Sequence, residues 1–184
     1  MRIISGSHRG TRLLSPKKTF IRPTSDRVKE ALFNILENST FSGSYKEKLV
    51  VDAFAGSGAI GLEALSRGAQ KIVFIENNIA TIRALNGNIK KLRAENSTQI
   101  AKADASQISL STSEPAGLIF MDPPYNSRLG RECISNLNKN GWVDKRTLVV
   151  LEQSTKASSD MPMWLKCLQQ NKYGATCLSF FKLG

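Results

Sequence analysis

The stretch Lys48-Leu-Val-Val-Asp52-Ala-Phe54-Ala-Gly56-Ser-Gly58-Ala-Ile-Gly61 decides the fold. Lys48–Phe54 is an apolar run of strand length, and from Ala59 to about Arg67 the chain reads as a helix. Glycine at 56 and 58 removes side chains, so the backbone can come close to a ligand; Gly61 lets helix and strand pack together. A strand, a glycine turn and a helix in that order open a β-α-β unit.

The alternation continues downstream. Lys71–Glu76 is a second strand, and Asn78–Arg93 is a helix with Ile79, Ile82, Leu85 and Ile89 on one side. Ile100–Ala103 is a weaker third strand, and Gly117–Asp122 is a fourth that runs into Pro123-Pro124. A helix around Gly130–Leu137 leads to a fifth strand, Thr147–Glu152, and Trp164–Gln169 with Thr176–Lys182 forms a closing antiparallel hairpin around Tyr173-Gly174. Upstream, Arg2–Ser5 and Thr11–Leu14 read as short strands of a basic hairpin around Gly6–Gly10. Pro16 and Pro23 mark a loop, and from Ser25 a helix carries Val28, Leu32, Ile35 and Leu36 on one face, with Thr24 or Ser25 as its N-cap. Apolar strands alternating with helices imply an α/β fold, its mostly parallel sheet covered on both faces. Ligands then sit outside the carboxyl ends of the strands.

The 184 residues have the size of one domain, 1–184, with the basic hairpin and helix at 1–38 and the core at 48–184. No apolar run approaches the roughly 18–20 residues of a membrane span, and residues 1–10 lack the apolar centre of a signal peptide. Three scattered cysteines (Cys133, Cys167, Cys177) read as reduced thiols of a cytoplasmic protein, and one histidine without a CxxC argues against a metal site. A monomer is expected. The net charge of +11 points to an anionic partner. Residues 1–29 hold eight Lys/Arg against one acid, Asp26, a clustering that suits phosphate contact through Arg9, Arg12, Arg22 and Arg27.

Two groups of residues carry chemistry. Glu76 ends a strand 20 residues after Gly56, where a carboxylate can accept the hydroxyls of a ribose. Asp52 would repel a pyrophosphate but suits the ammonium of a methionine moiety. Asp104 and Ala105 fall by topology at the adenine end, and Phe54 and Asn77 complete the candidate cofactor set. The second group is Ile119-Phe-Met-Asp122-Pro123-Pro124-Tyr125. Its prolines remove two backbone donors and stiffen the turn. If the Asp122 carboxylate and the Pro123 carbonyl each accept an N–H of a nucleobase amine, its lone pair is drawn out of the ring and aimed at an electrophilic methyl, with Tyr125 stacked on the base.

Glycine loop, ribose acid and Asp-Pro-Pro-Tyr, in that order, resemble the S-adenosylmethionine-dependent amino-methyltransferases. Further segments are similar to one family among them: Arg2-Ile-Ile-Ser-Gly6, Arg9-Gly10, Arg22-Pro-Thr-Ser-Asp26-Arg27-Val-Lys-Glu30-Ala-Leu-Phe-Asn34, Phe54-Ala-Gly-Ser-Gly58 and Leu62-Glu-Ala-Leu-Ser-Arg67-Gly-Ala69. They resemble the bacterial 16S ribosomal RNA guanine-N2 methyltransferase family (RsmD), nearly end to end. The resemblance implies a seven-stranded Rossmann-like sheet and methyl transfer from S-adenosylmethionine to N2 of guanine 966 in the small ribosomal subunit, leaving S-adenosylhomocysteine. It also implies that Gly56, Gly58 and Glu76 hold the cofactor and that Asp122, Pro123, Pro124 and Tyr125 hold the guanine. Lys29 stands where the family commonly has arginine, a modest change if the contact is to phosphate, and Asn78 stands where an acid is frequent. Three other readings fit less of the chain. A DNA adenine methyltransferase needs a recognition domain for which there is no room. A nicotinamide oxidoreductase leaves Asp-Pro-Pro-Tyr unused, and a non-catalytic RNA-binding module would not need both motifs intact.

Overall fold

A computed structural model of the protein describes residues 1–15, 25–112, 114–124, 128–157 and 160–184. Chain order is α1 (Asp26–Asn38), β1 (Leu49–Ala53), α2 (Ala59–Ser66), β2 (Lys71–Glu76), α3 (Ile79–Leu92), β3 (Thr98–Lys102), β4 (Leu118–Met121), α4 (Leu129–Lys139), β5 (Leu148–Ser154), β6 (Leu165–Tyr173) and β7 (Thr176–Leu183). One sheet of seven strands runs β3-β2-β1-β4-β5-β7-β6. β3, β2, β1, β4 and β5 are parallel, and β7 and β6 pair antiparallel at the end. The order reverses between β1 and β4, which opens a crevice at their carboxyl ends. This is the Rossmann-like α/β sheet with an antiparallel C-terminal hairpin that the sequence implied.

Two apolar layers bury the sheet. Val50, Ile72, Phe74, Leu118, Phe120, Leu148 and Val150 face α1, α2 and α3. Val51, Val73, Ile119, Met121 and Val149 face α4 and Trp142, whose indole N–H donates to the Leu110 carbonyl at 2.6 Å. Each strand alternates between the layers with period two. Cys133 and Cys177 are buried and Cys167 is exposed; all three are free thiols. No helix among the described residues is long and apolar enough to cross a membrane.

Several boundaries differ from the sequence reading. β6 runs to Tyr173, past the expected Gln169, because the sheet-edge residues Gln169–Lys172 are polar and carry no apolar signal. β3 starts at Thr98, where the side chain of Thr98 donates to the Ala94 carbonyl. The buried side of α3 is Thr81, Leu85, Asn88, Ile89 and Leu92; Ile79, expected inside, is 54% exposed at the first turn. The N-terminal strands reduce to one bridge, Arg2 to Arg12, because the amides of Ile4 and Ser5 turn away to the Glu63 carboxylate on α2 at 2.7 and 2.9 Å. The loop marked by Pro16 and Pro23 lies outside the described residues.

Candidate active site

The site grows from the register of four parallel strands. Asp52 pairs with Phe74 on β2 and with Phe120 on β4, and Phe120 pairs with Val150 on β5. Glu76, Asp122 and Glu152 each lie two residues beyond these partners. They therefore share the face of Asp52, the side covered by α1, α2 and α3. Four carboxyl groups from four neighbouring strand ends stand along one crevice.

Asp52 is buried, and its Oδ2 accepts the Gly61 N–H at 2.8 Å, which locks α2 to β1. Burial pushes its carboxyl up to about 8; the Gly61 hydrogen bond opposes this and the Glu76 charge adds to it. A buried acid in this condition is completed by a cation, because a positive group restores the carboxylate. The chain then leaves β1 through Phe54 at φ +61°, whose ring packs among the α4-side residues, and through Gly56 at φ +55°. A Cβ on Gly56 would meet nothing within 4 Å, so the loop borders open space there. Gly58, at φ +79°, is the N-cap of α2. Gly61 is the opposite case: a Cβ there would come within 2.4 Å of the Phe74 ring, so glycine is required for packing.

Glu76 ties this loop to β2. Its Oε2 accepts the Gly56 N–H at 2.9 Å, and its Oε1 accepts the amides of Asn77 and Asn78 at 2.9 and 2.8 Å. Of roughly four lone-pair positions on a carboxylate, three are taken, which leaves one on Oε2 toward the loop. Asn78 is the N-cap of α3; its Oδ1 accepts from Ala80 and Thr81, which accounts for a short polar residue at this position. Asp104 caps the turn after β3, accepting the Ser106 amide and hydroxyl at 2.9 and 2.8 Å, and Ala105 is buried beside it. An open glycine loop, a buried acid suited to a cation and a carboxylate with a spare acceptor position fit a nucleoside that carries an ammonium group.

Across the crevice, Asp122 follows β4 directly. Its carboxyl is driven well above the usual range, first by burial, then by the charges of Glu152 and Asp52. Pro123 is half-buried, while Tyr125 lies outside the described residues. Glu152, on β5 and 4% exposed, was not singled out by the sequence, because acids at strand ends are common and nothing local marks its neighbour.

Of the candidate RNA-contacting arginines, Arg9, Arg12 and Arg27 are exposed and Arg22 lies outside the described residues. Lys29, read as a possible phosphate contact, is fully buried: its ammonium lies 3.3 Å from Glu63 and donates to the Arg2 carbonyl. Glu63 also accepts from Arg67 Nε at 2.8 Å, and Arg67 continues to Glu37, which accepts the Tyr45 hydroxyl. This buried network welds the N-terminal segment to α1 and α2. His8 links its Nε2 to the Leu92 carbonyl at 3.1 Å. Asn88 holds both backbone groups of Leu14 and the Ser57 carbonyl of the glycine loop, and Lys91 donates to the Arg12 carbonyl. The basic segment is thus fastened to α3, which adds Arg83, Lys90 and Lys91 and has no acid.

Comparison with known proteins places the molecule. The family model described as Conserved hypothetical protein 95 matches residues 1–182. "Ribosomal RNA small subunit methyltransferase D" of Escherichia coli K12 is 36% identical over 156 residues, which cover 85% of this chain and 76% of that one. The protein of the same name from Haemophilus influenzae is 34% identical over 155 residues, 83% and 78% of the two chains. The solved structure of yhhF from Escherichia coli superposes with a TM-score of 0.85 at 32% identity, covering 100% of this chain and 97% of that one. With glycine loop, Glu76 and Asp122-Pro-Pro gathered at one crevice, the chain belongs to the Conserved hypothetical protein 95 family, the RsmD family of S-adenosylmethionine-dependent methyltransferases.

Proposed function

We propose that the protein methylates ribosomal RNA of the small subunit, at the exocyclic N2 of guanine 966 in the assembled 30S particle, as a cytoplasmic monomer. The observation that carries this reading is the acceptor-rich Asp122-Pro-Pro turn on the same crevice as Asp52 and Glu76. The names of the relatives from Escherichia coli and Haemophilus influenzae support the substrate class. S-adenosylmethionine, when bound, supplies an electrophilic methyl on a sulfonium and leaves as S-adenosylhomocysteine. Asp52 holds the ammonium of the amino-acid portion, the backbone of the Gly56–Gly58 loop lies against the ligand, and Glu76 accepts a ribose hydroxyl. Phe54, Asn77, Asp104 and Ala105 shape the rest of the cradle, the last two at the adenine end.

The Asp122 carboxylate and the Pro123 carbonyl accept the two N–H groups of the amine, so the nitrogen lone pair turns toward the methyl. Pro124 keeps the turn rigid, and Tyr125 supplies the stacking surface. Burial and the neighbouring acids favour protonated Asp122; donors from the base and a cation beside it favour the carboxylate. The methylated nitrogen then gives its extra proton to Asp122 or to water. Arg9, Arg12, Arg22 and Arg27 hold phosphates; the segment that carries Arg9 and Arg12 is fixed to the core by Glu63 and Asn88.

Labelled S-adenosylmethionine offered with unmodified small subunits, naked 16S RNA and DNA tests the proposal. N2-methylguanosine from the particle, lost in Asp122→Ala while cofactor binding survives, is the expected result. Methyladenine from DNA would replace this reading with that of a DNA amino-methyltransferase. Unchanged transfer in Asp122→Ala would refute the role of the turn.

A further inference from the structure

Glu152 is the one acid of the crevice, among the described residues, that the transfer chemistry above does not use. Its place is set by strand pairing: Val150 and Leu151 are in register with Phe120 and Met121, so Glu152 comes level with Asp122, the residue that directly follows β4. Neighbouring strands lie about 4.8 Å apart, and the two acids are close enough for the Glu152 charge to raise the Asp122 carboxyl. Beyond β5 the next strand is β7, where Leu178 stands opposite Glu152, so the crevice has an apolar wall on that side. Glu152 is 4% exposed, and its charge acts on the Asp122 carboxyl.

The edge of guanine matches two acids placed side by side. Beside the N2 amine guanine carries the N1–H donor, so two acceptors side by side match it. Adenine and cytosine present an unprotonated ring nitrogen next to their amines, which would meet a carboxylate lone pair to lone pair. We propose that Glu152 is a specificity-determining residue that accepts the N1–H of the target guanine while Asp122 takes its amine. This rests on the guanine-N2 reading. Asp122 and Glu152 then divide the work: one activates the nitrogen, the other selects the base. A site built to hydrogen-bond one donor rejects an analogue that lacks it more strongly than a pocket that reads shape alone.

The test compares small subunits assembled from RNA carrying guanine or 2-aminopurine at the methylated position. 2-Aminopurine keeps the amine but has an unprotonated N1. The wild-type enzyme is expected to prefer guanine by about 100-fold in kcat/KM. In Glu152→Gln, whose amide can donate to the unprotonated N1, guanine methylation falls and the preference shrinks to about tenfold or less. A preference unchanged in Glu152→Gln, with both rates intact or both lowered in proportion, overturns the proposal. So does wild-type enzyme that uses both bases equally, a result that needs no variant to fold. Wild-type enzyme that makes no N2-methylguanosine from the guanine particle defeats the guanine-N2 reading itself, and with it this inference.

Discussion

Asp52→Asn is the most informative single change, because it separates what the fold tolerates from what the ligand needs. The Asp52 carboxyl is raised from 3.8 to about 8 by burial, so the folded protein holds a proton that the unfolded chain releases across this range. A group raised on folding contributes stability that is complete below 3.8 and is lost as the pH climbs through 8. Each pH unit in that window removes about 1.4 kcal/mol, so wild-type protein gives up at most about 6 kcal/mol relative to a neutral side chain. Asparagine keeps the acceptor for the Gly61 N–H but buries an amide N–H₂, at a cost of about 2 kcal/mol. The Asp52→Asn variant should therefore be about 2 kcal/mol less stable than wild type at pH 4 and about 2–4 kcal/mol more stable at pH 8. The two stability curves should cross near a pH of about 5. Urea unfolding in steps from pH 4 to 8.5 reads this directly, and titration calorimetry at pH 8 reads the cofactor. The variant should bind S-adenosylmethionine at least about tenfold more weakly, having lost the charge that pairs with its ammonium. Parallel stability curves would refute the buried, raised acid. Undiminished affinity would refute its role toward the ligand.

Three further outcomes are expected. Glu63→Gln removes the closest counter-charge of the buried Lys29 ammonium, leaving it the Arg2 carbonyl and Asp26 at 4.0 Å, and should cost about 3 kcal/mol in urea unfolding; Lys29→Met added to it should recover part of the loss, and no recovery would contradict the pairing. Gly56→Ala and Gly61→Ala should part ways. The first has open space, loses only about 1–2 kcal/mol to its positive φ and weakens cofactor binding; the second strikes the Phe74 ring and should lower the melting temperature by an overpacking cost of about 1–3 kcal/mol. If about six phosphates are held, log affinity for rRNA should fall with log salt at a slope of about −4 to −5. Arg9→Gln, Arg12→Gln and Arg27→Gln together should flatten that slope by about 2–3; a slope near zero in wild-type protein would remove these arginines from the interface.

The parts of this protein that local sequence determined are those that local physics governs. β1, β2, β4 and β5 were legible as short apolar runs because strands covered on both faces need no polar side. The glycine loop was legible because glycine adopts a positive φ at 56 and 58 at little cost, and the position of Asp122 because an apolar strand runs directly into it. β6 was half hidden, since an edge strand made of glutamine, asparagine and lysine looks like a loop until a neighbour supplies its hydrogen bonds. What only the tertiary structure decided was partnership. Lys29 reads as a surface cation until α2 brings Glu63 against it, and His8 reads as a surface ring until α3 offers the Leu92 carbonyl. Glu152 reads as an ordinary strand-end acid until the crossover between β4 and β5 sets it level with Asp122. Pairings of this kind join residues far apart along the chain, and no periodicity carries them. They follow from which strand lies beside which, and that is settled by burying the whole sheet at once.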